Sequence, residues 1–383
     1  MKNVLMYTMH NPQPEGGGIS RMAFNIGLLL EENNCNVFYI SYNKIETVKS
    51  VKNQYYFPDT DPNSDKNYLF LKSFIREKQI STIINHISTN ELYSGILLNY
   101  DYGDVKILSM IHNCVLNHIK HFAYQKEYSL KSSGNNFIFA ILKSRIISYL
   151  MVTLCKLKYR RYYRKLEKNS DYIVLVSENN IVEMQEMLGH KSNKLVSVSN
   201  FIVPSDSVCE PKEKIVIWCG RIETFLKRTD IIIDVWSAIC KKHHDWKLYI
   251  MGDGNIKEMQ AYTLKKEVNN CLFTGRVDVQ SYYKKASIIC HTSISESFGL
   301  VLVEAMSNGV VPVAFNSFPS CQDIIPDEVG LKIPAFNVQM YADELGRLLD
   351  NPQRIKELSQ NAIRHSVNYH KDSIKSQWLQ IIS

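Results

Sequence analysis

The stretch Ile288-Ile-Cys-His-Thr-Ser-Ile-Ser-Glu-Ser-Phe-Gly-Leu-Val-Leu-Val-Glu-Ala-Met-Ser-Asn-Gly-Val-Val-Pro-Val-Ala-Phe315 decides the architecture. It opens on a short apolar run, Ile288–His291, and passes through a polar loop, Thr292–Ser297. Helical spacing follows over Leu300–Asn308, then a second apolar run at Val310–Phe315. Gly309 is placed to close the helix, because a residue without Cβ enters the left-handed cap without steric cost. Strand, helix and strand in this order read as one unit of a parallel sheet covered by helices. The helix N-terminus, with the amide groups of Phe298, Gly299, Leu300 and Val301, then lies at the carboxyl end of a strand, where free N–H groups and the helix dipole favour an anion. Gly299 allows backbone to approach a phosphate. Glu304, about one helical turn in, is placed to accept paired hydrogen bonds from vicinal ribose hydroxyls, and Glu296, on the loop, to reach a polyhydroxylated group beyond the phosphates.

The same alternation runs outward in both directions. Val4–Thr8 reads as a strand, Asn11–Gly18 as a Gly/Pro loop, and Ile19, Met22, Ala23, Ile26, Leu29 and Leu30 as the apolar stripe of a helix that Asn33 and Asn34 end. Further strands are expected at Val37–Ser41, Ser81–Asn85, Val105–Ile111 and Tyr172–Ser177, with a helix from near Asn180 to Gly189. A second series, Ile215–Cys219, Lys247–Met251, Cys271–Thr274 and the two runs above, follows the polar stretch 204–214. With 383 residues, more than one core usually supports, the chain reads as two α/β domains. The expected limits are 1–205 for the first, 206–355 for the second, and 356–383 for helices returning to the first.

Hydrophobic residues at 45% and charged residues at 22% exclude disordered, collagen-like and disulfide-scaffold classes. Nine cysteines without CxxC pairs or zinc-ligand spacing read as reduced thiols, and the start of the chain is too briefly apolar for a signal-peptide core. A cytoplasmic location is expected. The net charge of +7 permits an anionic partner without identifying one. Much of the excess lies in residues 143–168, where Lys143, Arg145, Lys156, Lys158, Arg160, Arg161, Arg164, Lys165 and Lys168 face one acid, Glu167, with tyrosines between them. Three readings fit that run: a solvated helix face, an anionic surface at the inner face of the cell membrane, and nucleic acid. Nucleic acid is not expected as a partner. His118 and His121 sit three apart without a third plausible ligand and read as ordinary helix residues, so no metal site is expected.

The Glu296–Glu304 run resembles the E-x7-E signature of the retaining GT-B glycosyltransferases, the glycosyltransferase group 1 family. Three upstream stretches match that family in order: Trp218-Cys-Gly-Arg-Ile222 with Leu226-Lys-Arg-Thr-Asp230, then Leu248-Tyr-Ile-Met-Gly-Asp-Gly254, then Phe273-Thr-Gly-Arg-Val277. The resemblance implies two Rossmann-like domains facing across a cleft. It also implies transfer of a hexose-type sugar from a nucleotide diphosphate sugar, UDP-linked for preference, to a glycan or lipid-linked glycan hydroxyl with retention at the anomeric carbon, in surface polysaccharide assembly. Glu304 would hold ribose, Glu296 the sugar, and Arg221 with Lys227 the departing diphosphate in place of a metal. Gly16-Gly-Gly18, after the first strand, resembles the family's Gly-rich loop, which makes Gly17 and Gly18 candidates for binding. His112 resembles a strand-end histidine that contacts the donor sugar. The chain departs from the family at Ser199-Asn200-Phe201, where Pro-Asn-Gly is usual, at Arg228, where Gly is usual, and at Asn316-Ser-Phe-Pro319. The rival class is a non-catalytic nucleotide-binding partner in a glycan-assembly complex.

Overall fold

The computed structural model describes residues 1–46, 51–116, 145–203 and 211–383. These divide into two compact units: the first takes residues 1–116, 145–201 and 374–383, the second the remainder. Residues 204–210 of the expected linker, His118, His121 and the opening of the basic run lie outside the described residues.

The first unit is built on seven strands: β1 (Lys2–His10), β2 (Cys35–Asn43), β3 (Gln54–Tyr56), β4 (Thr82–Asn85), β5 (Lys106–Ile111), β6 (Tyr172–Leu175) and β7 (Leu195–Ser197). They run parallel in the order β3-β2-β1-β4-β5-β6-β7. Among the described residues the sheet is accompanied by α1 (Gly18–Glu31), α2 (Asp65–Glu77), α3 (Glu91–Asn99), α4 (Arg145–Lys168) and α5 (Glu178–Leu188). Val4, Leu5, Met6 and Tyr7 are all fully buried, as a strand packed on both faces by helices requires. α1 turns Met22, Ala23, Ile26, Leu29 and Leu30 inward and stops just before Asn34, which takes the left-handed conformation expected of the helix end.

The second unit carries β8 (Glu213–Cys219), β9 (Lys247–Met251), β10 (Cys271–Gly275), β11 (Ala286–His291), β12 (Val311–Asn316) and β13 (Leu331–Pro334). These also run parallel, in the order β10-β9-β8-β11-β12-β13. Its helices are α6 (Thr229–Ile239), α7 (Ile256–Lys265), α8 (Val279–Lys285), α9 (Leu300–Ser307), α10 (Cys321–Ile324), α11 (Val338–Leu349) and α12 (Pro352–Ser366). The final helix, α13 (Lys371–Ile382), gives its residues from Ile374 onward to the first unit, where Ile374, Trp378 and Ile382 are buried. In each sheet the winding reverses beside the first strand, between β1 and β4 and between β8 and β11. Ligands of open parallel sheets sit outside the carboxyl ends of strands at such reversals.

Just past the carboxyl ends of β8 and β9 the backbone closes tightly. Gly220 N–H donates to Met251 O at 3.0 Å, and Ile222 N–H to Asp253 O at 2.7 Å. Gly252 has φ 138°, and a Cβ there would stand 1.8 Å from Gly220 O. Gly252→Ala should therefore destabilise the protein by about 3 kcal/mol or more in urea unfolding, since both the dihedral and the contact are refused to alanine. Gly17→Ala, at φ −59° with nothing within 4 Å of the added atom, should stay within about 0.5 kcal/mol of the parent.

Candidate functional site

The loop between β11 and α9 is fastened on two sides. Thr292 Oγ1 accepts from Trp218 Nε1 at 2.9 Å and lies 3.1 Å and 2.9 Å from the carbonyl oxygens of Lys227 and Arg228. Ile294 N–H donates to Leu226 O at 2.8 Å. On the opposite flank Ser317 Oγ donates to Ser293 O at 2.7 Å, and Ser320 Oγ to the carbonyls of Ser297 and Phe298 at 3.0 and 3.1 Å. These bonds satisfy buried polar groups and fix where Glu296 and Lys227 meet.

They meet as an ion pair. Lys227 Nζ donates to Glu296 Oε1, and His291 Nε2 stands 3.5 Å from the same oxygen. Ser293 Oγ lies 3.3 Å from His291 Nε2. Burial raises the energy of the Glu296 carboxylate, but the adjacent Lys227 and His291 outweigh it and hold the group down to about 2.

Arg228, beside Lys227, has φ 53°, the left-handed region in which glycine is at ease. Its departure from the usual glycine is accommodated by a fork onto Asp230, with Nε to Oδ1 at 2.8 Å and Nη2 to Oδ2 at 2.6 Å. Arg221, one residue past Gly220 at the carboxyl end of β8, is exposed.

α9 begins at Gly299, φ 90°, with no side chain capping its first amides. The Phe298 ring is buried edge-on against Tyr369 at 5.5 Å, and Leu300 is buried while Val301 is half-buried. Glu304 is half-buried on the helix, 3.5 Å from the Tyr283 hydroxyl. Arg221, Lys227, Glu296, Glu304 and the α9 amides therefore all belong to the second unit, around the carboxyl ends of β8 and β11.

The remaining candidates belong to the first unit. Gly17 and Gly18 start α1, again without a side-chain cap, and line a cavity of about 440 Å³ at the carboxyl ends of β1 and β4. His112, the first residue past β5, is 4% exposed, and its Nε2 lies 3.0 Å from Nδ1 of His86, the first residue past β4. The two rings stack with centroids 5.2 Å apart. Burial pushes His112 down to about 4, and burial with the neighbouring His112 pushes His86 well below the usual imidazole range. His86 was not singled out by the sequence; its only signal is its place immediately after a strand adjoining β1.

The basic run is partly structural. Arg160 Nε and Arg164 Nη2 donate to Met187 O and Leu188 O, at 2.8 and 2.9 Å, and so satisfy the C-terminal carbonyls of α5. Lys156 pairs with Glu186 at 2.9 Å. Lys158, Arg161 and Lys168 are exposed, as are Tyr149, Leu150, Leu154 and Leu157 on the same helix. Among the described residues no helix is long and apolar enough to cross a membrane, and no group of three or more His, Cys, Asp or Glu is arranged to hold a metal.

Residues 204–365 match the family Glycosyl transferases group 1. Over 381 residues it is 27% identical to an uncharacterized glycosyltransferase of Haemophilus influenzae, covering 96% of each chain. It is 27% identical over 175 residues, 45% of this chain and 48% of the other, to the Campylobacter jejuni GalNAc-alpha-(1->4)-GalNAc-alpha-(1->3)-diNAcBac-PP-undecaprenol alpha-1,4-N-acetyl-D-galactosaminyltransferase. The fold is that of the GT-B glycosyltransferases. A Staphylococcus aureus TarM variant, solved with fondaparinux, alpha-GlcNAc-glycerol and UDP, superposes with a TM-score of 0.73 at 15% identity, covering 100% of both chains.

The depressed Glu296 carboxyl makes a testable link to stability. Its folded value of about 2 lies below the ordinary 4.5, so the stabilisation is complete above about pH 5 and is lost as pH falls toward 2. In urea unfolding, the stability gap between the parent and Glu296→Gln should shrink by on the order of 3 kcal/mol between pH 6 and pH 2. A gap that stays constant with pH would contradict the ion pair.

Proposed function

We propose that the protein is a retaining glycosyltransferase that moves a hexose-type sugar from a UDP-linked donor to a hydroxyl of a glycan or lipid-linked glycan, in surface polysaccharide assembly. The observation that carries this reading is the Lys227–Glu296 pair, held beside the uncapped N-terminus of α9 at the sheet's reversal. A cation, a carboxylate and open amides at one strand end suit a substrate that is both anionic and polyhydroxylated. That the Staphylococcus aureus structure contains UDP supports the choice of base.

In this reading the α9 amides face the diphosphate and Glu304 accepts the ribose hydroxyls. The bond between the anomeric carbon and the β-phosphate oxygen breaks, its electron pair passing to the phosphate, while the acceptor hydroxyl adds from the same face and gives its proton to that phosphate. Arg221 and Lys227 stabilise the charge that develops on the leaving oxygen. Lys227 thereby exchanges Glu296 for phosphate, and Glu296, still beside His291, accepts from sugar hydroxyls. A second element of the proposal is peripheral attachment to the cytoplasmic face of a membrane through α4, where Leu150, Leu154 and Leu157 are exposed near Lys158 and Arg161.

A thermal-shift panel of UDP, GDP and ADP sugars tests the donor. UDP sugars should raise Tm, by the equivalent of about 2.7 kcal/mol at a hundred times Kd. Glu304→Gln should weaken the response at least about tenfold in concentration, since hydrogen bonds to a charged acceptor are lost. No shift with any of the three bases would overturn the reading.

A further inference from the structure

The cavity at the first unit's reversal contains a polar atom with nothing to bond. His86 is 2% exposed, lines the cavity with Gly17 and Gly18, and its Nε2 has no hydrogen-bond partner among the described residues. Leaving a buried imidazole nitrogen unmet is costly, and in a native fold such an atom calls for a partner, a water or a bound group.

The position of the ring is not accidental. His86 N–H donates to Tyr7 O at 2.9 Å, and the following Ile87 N–H donates to Asn85 Oδ1 at 3.1 Å, so the backbone is fixed on both sides. The Nδ1 contact to His112 fixes the ring itself. One proton lies between the two rings. If His86 donates it, His86 Nε2 is a bare acceptor; if His112 donates it, His86 Nε2 carries a hydrogen and donates. The pair therefore offers either polarity at the same point, as a hydroxyl also does.

The rest of the lining narrows the ligand. Among the described residues His10 and His86 are the titratable side chains of the lining, with no Lys, Arg, Asp or Glu, whereas Lys227 and Glu296 are both in the second unit. A diphosphate belongs with the cations. The uncapped amides at the start of α1, with Thr89 and Asn90 opposite, supply hydrogen bonds without formal charge. We propose that His86 is a specificity-determining residue that binds one hydroxyl of the neutral acceptor sugar through Nε2, with His112 holding its ring in place. This rests on the transferase reading above and names the part of the substrate that the second unit leaves unassigned.

Two substitutions separate binding from support. Glutamine places a polar atom near the position of Nε2 and gives up the Nδ1 link, while asparagine keeps an atom near Nδ1 and leaves the cavity side empty. The probes are methyl glycosides of glucose, galactose and N-acetylglucosamine, followed by saturation-transfer NMR, with inorganic phosphate as a charged competitor. At least one glycoside should bind the parent and His86→Gln, should bind His86→Asn about tenfold or more weakly, and should not be displaced by phosphate. Equal binding by all three proteins, loss in the glutamine variant alone, displacement by phosphate, or no binding to the parent each overturns the proposal. Where either variant fails to fold, histidine ¹⁵N shifts of the parent decide: glycoside must move the His86 Nε2 signal, and an unmoved signal overturns the assignment. Because this arm needs no nucleotide sugar, glycoside binding without donor turnover sinks the transferase reading alone. Turnover with an unchanged acceptor KM in His86→Asn sinks only the role of His86.

Discussion

One hydroxyl organises the second unit. Thr292 Oγ1 is fully buried, receives the indole N–H of Trp218 from β8, and lies against the carbonyls of Lys227 and Arg228. It thus ties the end of β11 to the end of β8 and to the turn before α6. A hydroxyl has one proton and two lone pairs; here the proton is shared between the two carbonyls and one lone pair receives the indole. If the link slackened, the loops of Glu296 and Lys227 would be joined by the Ile294–Leu226 backbone bond alone, and an ion pair between mobile side chains contributes little. Because the link is buried, the pair inherits the rigidity of the sheet.

The electrostatics follow from that placement. Glu296 is held ionised against its burial by Lys227 and His291, so the site keeps equal and opposite charges together until something anionic competes for the lysine. Arg228 stays outside this exchange, its guanidinium committed to Asp230. The two adjacent basic residues consequently differ in kind: Lys227 reaches across to a carboxylate 69 residues away, Arg228 to one on its own turn. A local count of positive charge would miss the distinction, and the basic run of α4 teaches the same lesson, since Arg160 and Arg164 serve the end of a neighbouring helix.

The alternation of strands and helices was legible because buried parallel strands must be apolar throughout: Val4–Tyr7 and Ile288–Cys290 have no polar face to disguise them. The shortest edge strands were not. β3, β7 and β13 are three or four residues long and only partly buried, too short to show a period, whereas the edge strand β10 was read at Cys271–Thr274. At the site, the residues flanking Gly299 could be read because spacing along one helix fixes their geometry. The Lys227–Glu296 contact joins residues 69 apart, and His86–His112 joins residues 26 apart. Such partners depend on which strand ends lie side by side, and no single segment carries that information.

The closing helix bears on how the chain is made. Ile374, Trp378 and Ile382 fill a place in the first unit, and Lys2 Nζ holds the carbonyls of Ile382 and Ser383, each at 2.7 Å. Yet all of residues 202–373 must leave the ribosome before that helix does. At ~5–20 residues per second, the delay is on the order of ten seconds to half a minute. Throughout it the first unit stands with the seat of Trp378 bare, an apolar surface open to whatever meets a nascent chain. The last-made part thus completes the first-made, and quality control of this protein would be most demanding on the unit that had been waiting longest.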